Sequence, residues 1–267
     1  MACAILVTGS AGFIGSNLVD RLARDGHEVA VVDDLSSGRL DNLAGALASG
    51  RVRHYQVDVT GPDLAQTVAA VRPQVVHHLA AQIDVRRSVA DPVEDARVNV
   101  LGSLQLARAA LEVGCRRLVF AASGGTAYGE PDHGAIPVTE DHPELTSNPY
   151  GIAKRSVEDY LDGFRVDDVV EAFVAAADRA DAVGARLNIG TGVETSVLGL
   201  YAALKAVTGF GPDPEFAQAR TGELARIAFD PGLAMCLLGW RPRIGVSEGL
   251  ARTWKWALRE LHAGSKG

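Results

Sequence analysis

The segment TGSAGFIG, Thr8 to Gly15, constrains this chain more than any other stretch, because it joins the apolar run Ala4 to Val7 to the helix-like pattern Phe13 to Arg24. A strand that turns through spaced glycines into a helix makes a phosphate-binding turn. Gly9 suits the tight exit from the strand, Gly12 lets backbone approach a pyrophosphate, and Gly15 lets the helix pack close to the sheet. The helix start at Phe13 and Ile14 supplies N–H groups without intrahelical partners and the positive end of the helix dipole.

A second feature agrees with the first. Glu28 to Val32 reads as the next strand and ends at Asp33. A carboxylate there accepts hydrogen bonds from the adenosine ribose hydroxyls and repels a 2′-phosphate, which favours NAD over NADP. Further along, short apolar runs at Val52 to Val57, Gln74 to Leu79 and Arg117 to Ala122 alternate with amphipathic segments, the longest being Val93 to Val113. That alternation predicts an α/β fold: a doubly wound parallel sheet of Rossmann type with helices on both faces. From about Arg165 the pattern becomes mostly helical, with a short strand expected at Arg186 to Ile189 and a surface helix over the alanine-rich Phe173 to Ala185. The change of pattern divides the chain into a dinucleotide-binding domain, residues 1–164, and a mostly helical portion, residues 165–267.

Composition narrows the function classes. With 267 residues, 47% of them hydrophobic, the chain can bury a substantial core. Its net charge of −7, without basic tracts, argues against nucleic acid as a partner. Cys3, Cys115 and Cys236 form no CxxC pair, so they read as packing thiols in a reducing compartment and not as a metal site. No apolar run approaches the length of a bilayer span, and the cytoplasm is the expected location.

The second chemical constellation is Tyr150-Gly-Ile-Ala-Lys154, after Asn148-Pro149, which suits a helix start. At i and i+4 the phenol and the ammonium share one helical face. A free tyrosine has a pKa of about 10. A lysine cation about 5 Å away at an effective dielectric of 20 contributes about 3 kcal/mol towards the phenolate. Together with an oxidised nicotinamide ring it makes Tyr150 a candidate base. Ser123, at the carboxyl end of the fifth predicted strand, can share a hydrogen bond with the reacting oxygen and Tyr150. Thr126 competes with it for that task.

These motifs resemble the extended short-chain dehydrogenase/reductases, specifically the nucleotide-sugar epimerase/dehydratase family typified by UDP-glucose 4-epimerase. The resemblance rests on TGSAGFIG, Asp33-Asp34, Asp58-Val59, His78 to Ala81, Asn99, Ser123 to Gly125 and Tyr150 to Lys154. It resumes in Asn188 to Gly192, Arg220 to Glu223 and Leu238 to Trp240. It implies NAD contacts from Gly9, Gly12, Phe13, Ile14, Gly15, Asp33, Asp34, Ser36, Asp58, Val59, Leu79, Ala80, Ala81, Asn99, Tyr150 and Lys154. It implies substrate contacts from Ser123, Thr126, Tyr150 and Arg220, the arginine gripping the nucleotide-sugar diphosphate. A homodimer through the Val93 to Val113 and Tyr150 helices is implied too.

The chemistry implied is epimerisation at C4. Tyr150 removes the 4-hydroxyl proton while hydride passes to NAD, the 4-keto sugar turns over, and hydride returns to the opposite face. Dehydratases of the family carry an Asp-Glu pair after the serine or threonine, where this chain has Gly124-Gly125.

One departure matters. In the family a sixth strand and several tens of residues follow the tyrosine helix, whereas here Phe164 runs almost directly into Arg165-Val-Asp-Asp168. Their loss is expected to expose the edge and apolar surface of the fifth strand and to open one wall of the sugar pocket. Three readings follow: an epimerase, a reductase or dehydrogenase of another small substrate using the same Ser-Tyr-Lys set, and a non-catalytic dinucleotide-binding protein.

Overall fold

The computed structural model describes residues 3–131, 133–146, 148–162, 174, 175, 177, 179, 182, 184–209, 211–217 and 225–264. Its first half alternates strand and helix: β1 (Ala4–Thr8), α1 (Phe13–Arg24), β2 (Glu28–Asp33), α2 (Ala44–Ala48), β3 (Val52–Gln56), α3 (Asp63–Val71) and β4 (Val75–His78). Then follow α4 (Val85–Ala90), α5 (Pro92–Ala96), a π-helical turn (Arg97–Gly102), α6 (Ser103–Glu112), β5 (Arg117–Phe120), α7 (Gly124–Ala127) and α8 (Pro149–Asp162). The five strands form one parallel sheet in the order β3-β2-β1-β4-β5.

The central strands β1 and β2 are buried on both faces because they are apolar at successive positions, whereas the edge strand β3 is mostly polar and part-exposed. Ile5, Val7, Val29 and Val31 pack with Leu18, Val19 and Leu22 of α1 on one face. Leu6, Val32 and Val76 pack with Leu64 and Val68 of α3 and Leu106 of α6 on the other. Near-continuous Val/Ile/Leu runs are what a parallel sheet covered by helices requires. The chain leaves β1 for β2 on one side, and β4 lies on the other, so a crevice opens at the carboxyl ends of β1 and β4, where doubly wound sheets bind ligands.

The expected helix Val93 to Val113 is one helical path from Pro92 to Glu112 with the π-helical turn in its middle. Gly102 sits in that turn because a Cβ there would come within 2.9 Å of the Val59 side chain. The strand expected at Arg186 to Ile189 does not form a ladder. The segment is held instead by side chains: Asn188 N donates to Glu140 Oε1 at 2.6 Å, and Asn188 Nδ2 to the Val138 carbonyl at 3.0 Å. The helix expected over Phe173 to Ala185 falls largely outside the described residues. Within it Ala177 and Ala182 are buried, so that stretch is not purely a surface one.

Among the described residues β5 is the last strand of the sheet, yet its apolar residues are not exposed as the missing strand implied. Val119 belongs to the first core, with Ala177 and Val174 packed there, and Phe120 is enclosed by Ala107, Val157 and Leu161. Helix α8 and the chain after it cover what an outer strand would otherwise shield. The C-terminal part carries α9 (Val197–Thr208), α10 (Gly232–Leu238) and α11 (Val246–Gly264); α9 packs on α11, and Ala234 and Leu238 of α10 join Ala182 and Leu187 in a small core.

Candidate active site

The glycine turn has the shape its sequence requires. Gly9 adopts a left-handed backbone, φ +64°, and a Cβ on it would lie 2.6 Å from the Ala80 nitrogen. A Cβ on Gly15 would lie 2.2 Å from the Gly9 carbonyl oxygen. Gly12 is extended, and its Cβ direction meets only the Gly9 carbonyl oxygen, so the space in front of the turn is open. Helix α1 has no side-chain cap and no acid in its first turn. An uncapped helix start facing open space beside a close-packed glycine turn fits the pyrophosphate of a dinucleotide.

Asp33 ends β2 with its carboxylate buried against that turn. Oδ2 accepts from the Ala11 amide at 2.8 Å and Oδ1 from the Leu35 amide at 2.9 Å. Each oxygen keeps a lone pair for a ribose hydroxyl. Asp34 accepts from the amide and hydroxyl of Ser36, while Asp58 accepts both the amide and the hydroxyl of Thr60, so these acids shape their own turns. Val59 is buried beneath the Asp58 turn, and Leu79, Ala80 and Ala81 are half-buried where the chain leaves β4.

A network that sequence reasoning missed joins β1, β4 and α6. Ser103 Oγ donates to the Asn99 carbonyl at 2.6 Å, so it accepts from His78 Nε2 at 2.8 Å. His78 Nδ1 must then accept from Thr8 Oγ1 at 2.7 Å, and Thr8 Oγ1 in turn accepts from the Ala80 amide at 3.2 Å. The imidazole is neutral, because complete burial brings its pKa down to about 3, with the Lys154 charge adding to the effect. A strand residue facing inward gave no sequence signal for this role beyond its type.

Asn99 clamps the loop after β4: its Oδ1 accepts from the Gln82 amide at 2.9 Å and its Nδ2 donates to the Gln82 carbonyl at 3.0 Å. Ser88, fully buried on α4, accepts from the Tyr150 amide at 3.3 Å, and Asn148 Oδ1 accepts from the Gly151 amide at 2.9 Å. The start of α8 is thus capped from two directions, which fixes where Tyr150 stands.

Ser123, Thr126, Tyr150 and Lys154 meet at the carboxyl end of β5. Thr126 Oγ1 donates to Ser123 Oγ at 2.8 Å, and Ser123 is hydrogen-bonded to the Tyr150 phenol. Lys154 is buried; its Nζ donates to the Ala121 carbonyl at 2.9 Å and lies 4.5 Å from the centre of the Phe120 ring. Burial brings the Lys154 pKa down to about 8, against the opposing pull of Glu158 and Asp95. The Tyr150 phenol stands above its ordinary range, because burial outweighs the Ser123 hydrogen bond and Asp95 opposes the phenolate. The depression expected from Lys154 alone is therefore not realised: its ammonium is turned to a carbonyl and a ring.

A cavity opens beside Ser123, lined by Gly124, Tyr128, Glu158, Arg186, Asn188 and Phe229. The Phe229 ring abuts Gly124, where a Cβ would lie 2.8 Å from Cζ. Tyr128 donates to Asn188 Oδ1 at 2.9 Å, and Arg186 pairs with Glu158 at 2.9 Å and with Glu144. Arg220 lies outside the described residues. Among the described residues no cluster could hold a metal ion, and no helix is long and apolar enough to cross a membrane.

Fold and site together define an α/β protein with a dinucleotide turn and a Ser-Tyr-Lys cluster at the crevice of its sheet. The model of the NAD dependent epimerase/dehydratase family matches residues 5–166, and the chain belongs to that family. It is 39% identical to a UDP-glucose 4-epimerase of Mycolicibacterium smegmatis, over 93% of this chain and 96% of that one. That alignment runs over 304 positions, more than the 267 residues present here, so it carries internal gaps on this side. Among solved structures, UDP-glucose 4-epimerase of Thermotoga maritima with UDP-glucose superposes with a TM-score of 0.88 at 30% identity, covering 96% of this chain and 99% of that one. The Thermus thermophilus UDP-glucose 4-epimerase complex with NAD gives 0.79 at 31% identity, covering 92% and 96%.

Proposed function

We propose that this chain is an NAD-dependent epimerase acting at C4 of a nucleotide-diphosphate sugar of the UDP-glucose/UDP-galactose type. The observation that carries the reading is the Ser123–Tyr150–Lys154 cluster at a dinucleotide crevice, in a chain matching UDP-glucose 4-epimerases over nearly its whole length. Gly124 separates it from dehydration chemistry, because Phe229 occupies the space that an acidic side chain there would need.

Bound NAD supplies a hydride acceptor that returns the hydride, and its oxidised ring is positively charged. The residues of this chain handle the proton. Tyr150 rests as a phenol. A positive charge brought into this buried site favours the phenolate, and Tyr150 then takes the proton from the sugar 4-hydroxyl. Ser123 holds the same oxygen, and Thr126, by donating to Ser123 Oγ, leaves the Ser123 proton directed at its partner. Ser123 is thus the working hydroxyl and Thr126 its support. Gly9, Gly12 and Gly15 with the Phe13 and Ile14 amides hold the pyrophosphate, Asp33 the ribose, and Arg220 the substrate diphosphate.

Purified protein incubated with NAD and UDP-galactose should form UDP-glucose without accumulating NADH, and Tyr150→Phe should abolish it. Stoichiometric NADH would instead make the chain a dehydrogenase, and no product from folded, NAD-loaded protein would overturn the catalytic reading. The same reading includes a homodimer, supported by the exposed apolar residues Val89, Val93 and Leu101 beside Ile152 and Tyr160 of α8. Light scattering at micromolar concentration should give twice the 28.0 kDa chain mass. Three unpaired cysteines support a cytoplasmic location.

A further inference from the structure

The chain leaving β3 meets the end of β2, where the Val57 amide donates to the Asp33 carbonyl at 3.2 Å. The glycine turn, Asp33 and Asp58 therefore follow one another along the carboxyl ends of β1, β2 and β3. A nucleotide with its pyrophosphate at the first and its ribose at the second lays its base beyond the third. Asp58 presents a carboxylate there. Oδ1 accepts from the Thr60 amide and Oδ2 from the Thr60 hydroxyl, each at 2.8 Å. The Asp58 side chain keeps 45% of its surface exposed, so each oxygen has a lone pair for a donor on the base.

The Thr60 hydroxyl gives its proton to Asp58 and accepts in turn from Arg97 Nη1, which stands 4.0 Å from Asp58 Oδ2. The other side of the guanidinium is fixed by Glu94, through Nε at 2.7 Å and Nη2 at 2.9 Å. Donation thus runs one way, from Arg97 through Thr60 to Asp58. The π-helical turn makes this reach possible. It begins at Arg97 and ends at Gly102, where a Cβ would come within 2.9 Å of the Val59 side chain and 3.3 Å of that of Thr60. Residues five apart point about 140° from each other on a regular α-helix. The i→i+5 bonding of a π turn brings them back towards one face. Arg97 and Gly102 therefore address the same Asp58 to Thr60 turn, one with its side chain and the other with its backbone.

We propose that Arg97 and Thr60 are positioning residues of the cofactor site, which aim the Asp58 carboxylate at the exocyclic amine of the cofactor's adenine and so make this chain select that base. A carboxylate only accepts, and the amine is the donor on the edge of adenine. A hydroxyl held between a guanidinium and the acid keeps the carboxylate in one orientation, whereas an acid without it turns freely to water. The proposal rests on the NAD reading of the glycine turn and Asp33, and not on the sugar chemistry.

The test measures binding, not turnover. Wild type, Thr60→Val, Thr60→Ser and Arg97→Met are titrated, with fluorescence as the signal, against NAD and against nicotinamide hypoxanthine dinucleotide, in which a carbonyl oxygen replaces the amine. Wild type should prefer NAD by about tenfold or more. Thr60→Val and Arg97→Met should lower that preference by roughly fivefold, and Thr60→Ser, which keeps the hydroxyl, should retain it. A merely structural role would weaken both dinucleotides alike and leave their ratio in place, and that result overturns the proposal. So does a wild type that binds the two equally. A wild type that binds neither overturns the NAD reading and the proposal with it. The expected loss of preference in a chain that does not convert UDP-galactose would uphold Arg97 and Thr60 and overturn the epimerase reading instead. Should Arg97→Met fail to fold, the contrast between Thr60→Val and Thr60→Ser decides alone.

Discussion

Gly9 and Ala80 meet backbone to backbone, so closely that a single Cβ on the glycine would stand 2.6 Å from the alanine nitrogen. The contact joins the turn after β1 to the loop after β4, the two walls of the crevice. Thr8 reinforces it by accepting from the Ala80 amide, and the Thr8 carbonyl accepts from the Leu79 amide at 3.2 Å. Gly9→Ala must place a side chain at φ +64°, which costs about 1–2 kcal/mol for the backbone alone, before the clash. Urea denaturation should show a loss at least that large, and NAD titration followed by fluorescence an affinity lower by roughly tenfold or more. Unchanged NAD binding would mean that the turn does not face the cofactor.

Tyr150→Phe removes the phenol oxygen and leaves the ring in its packing. Turnover of UDP-galactose should fall by roughly 10²–10⁴-fold, the range for a lost acid–base group, while NAD remains bound. Residual activity within tenfold of wild type would transfer the proton step to another residue.

Gly124 and Phe229 should behave as a coupled pair. Gly124→Ala pushes a methyl group into the ring and should cost about 1–3 kcal/mol of stability, as overpacking does. Phe229→Ala in the same chain should recover much of that loss. A double-mutant cycle measures the coupling, and strict additivity would show that the ring moves away freely.

Two neighbouring histidines make the fold sensitive to acid. His77 and His78 are buried and neutral, each with a pKa near 3, in both cases chiefly through burial, while in the unfolded chain each titrates near 6.5. Between these values the unfolded state binds more protons than the native one, so stability rises with pH across the window and is lost as pH falls below about 6.5. Both sites together give a slope approaching about 2.7 kcal/mol per pH unit. Urea denaturation at pH 7, 6 and 5 measures it, and a flat stability over that range would show that protonation is tolerated.

Much of this protein could be read from its residues in order, and the reasons are local. The glycine turn, the acid ending β2 and the Tyr150/Lys154 spacing are each defined within a few residues of one strand or helix, so their periodicity and conformational demands are visible in the chain. The strand–helix alternation likewise dictates a parallel sheet, because each apolar run must be covered on both faces. Tertiary structure alone decided the rest. His78, Ser88, Asp95 and Phe229 acquire their places from elements distant in sequence, and a charge on a helix or a ring in a loop carries no mark of its eventual neighbour. The state of Tyr150 illustrates the division: spacing put a lysine one turn away, but burial, the Ala121 carbonyl and Asp95 leave the phenol protonated. Proximity along a helix is encoded by sequence, whereas the balance between desolvation and charge exists only once the chain has closed around the group.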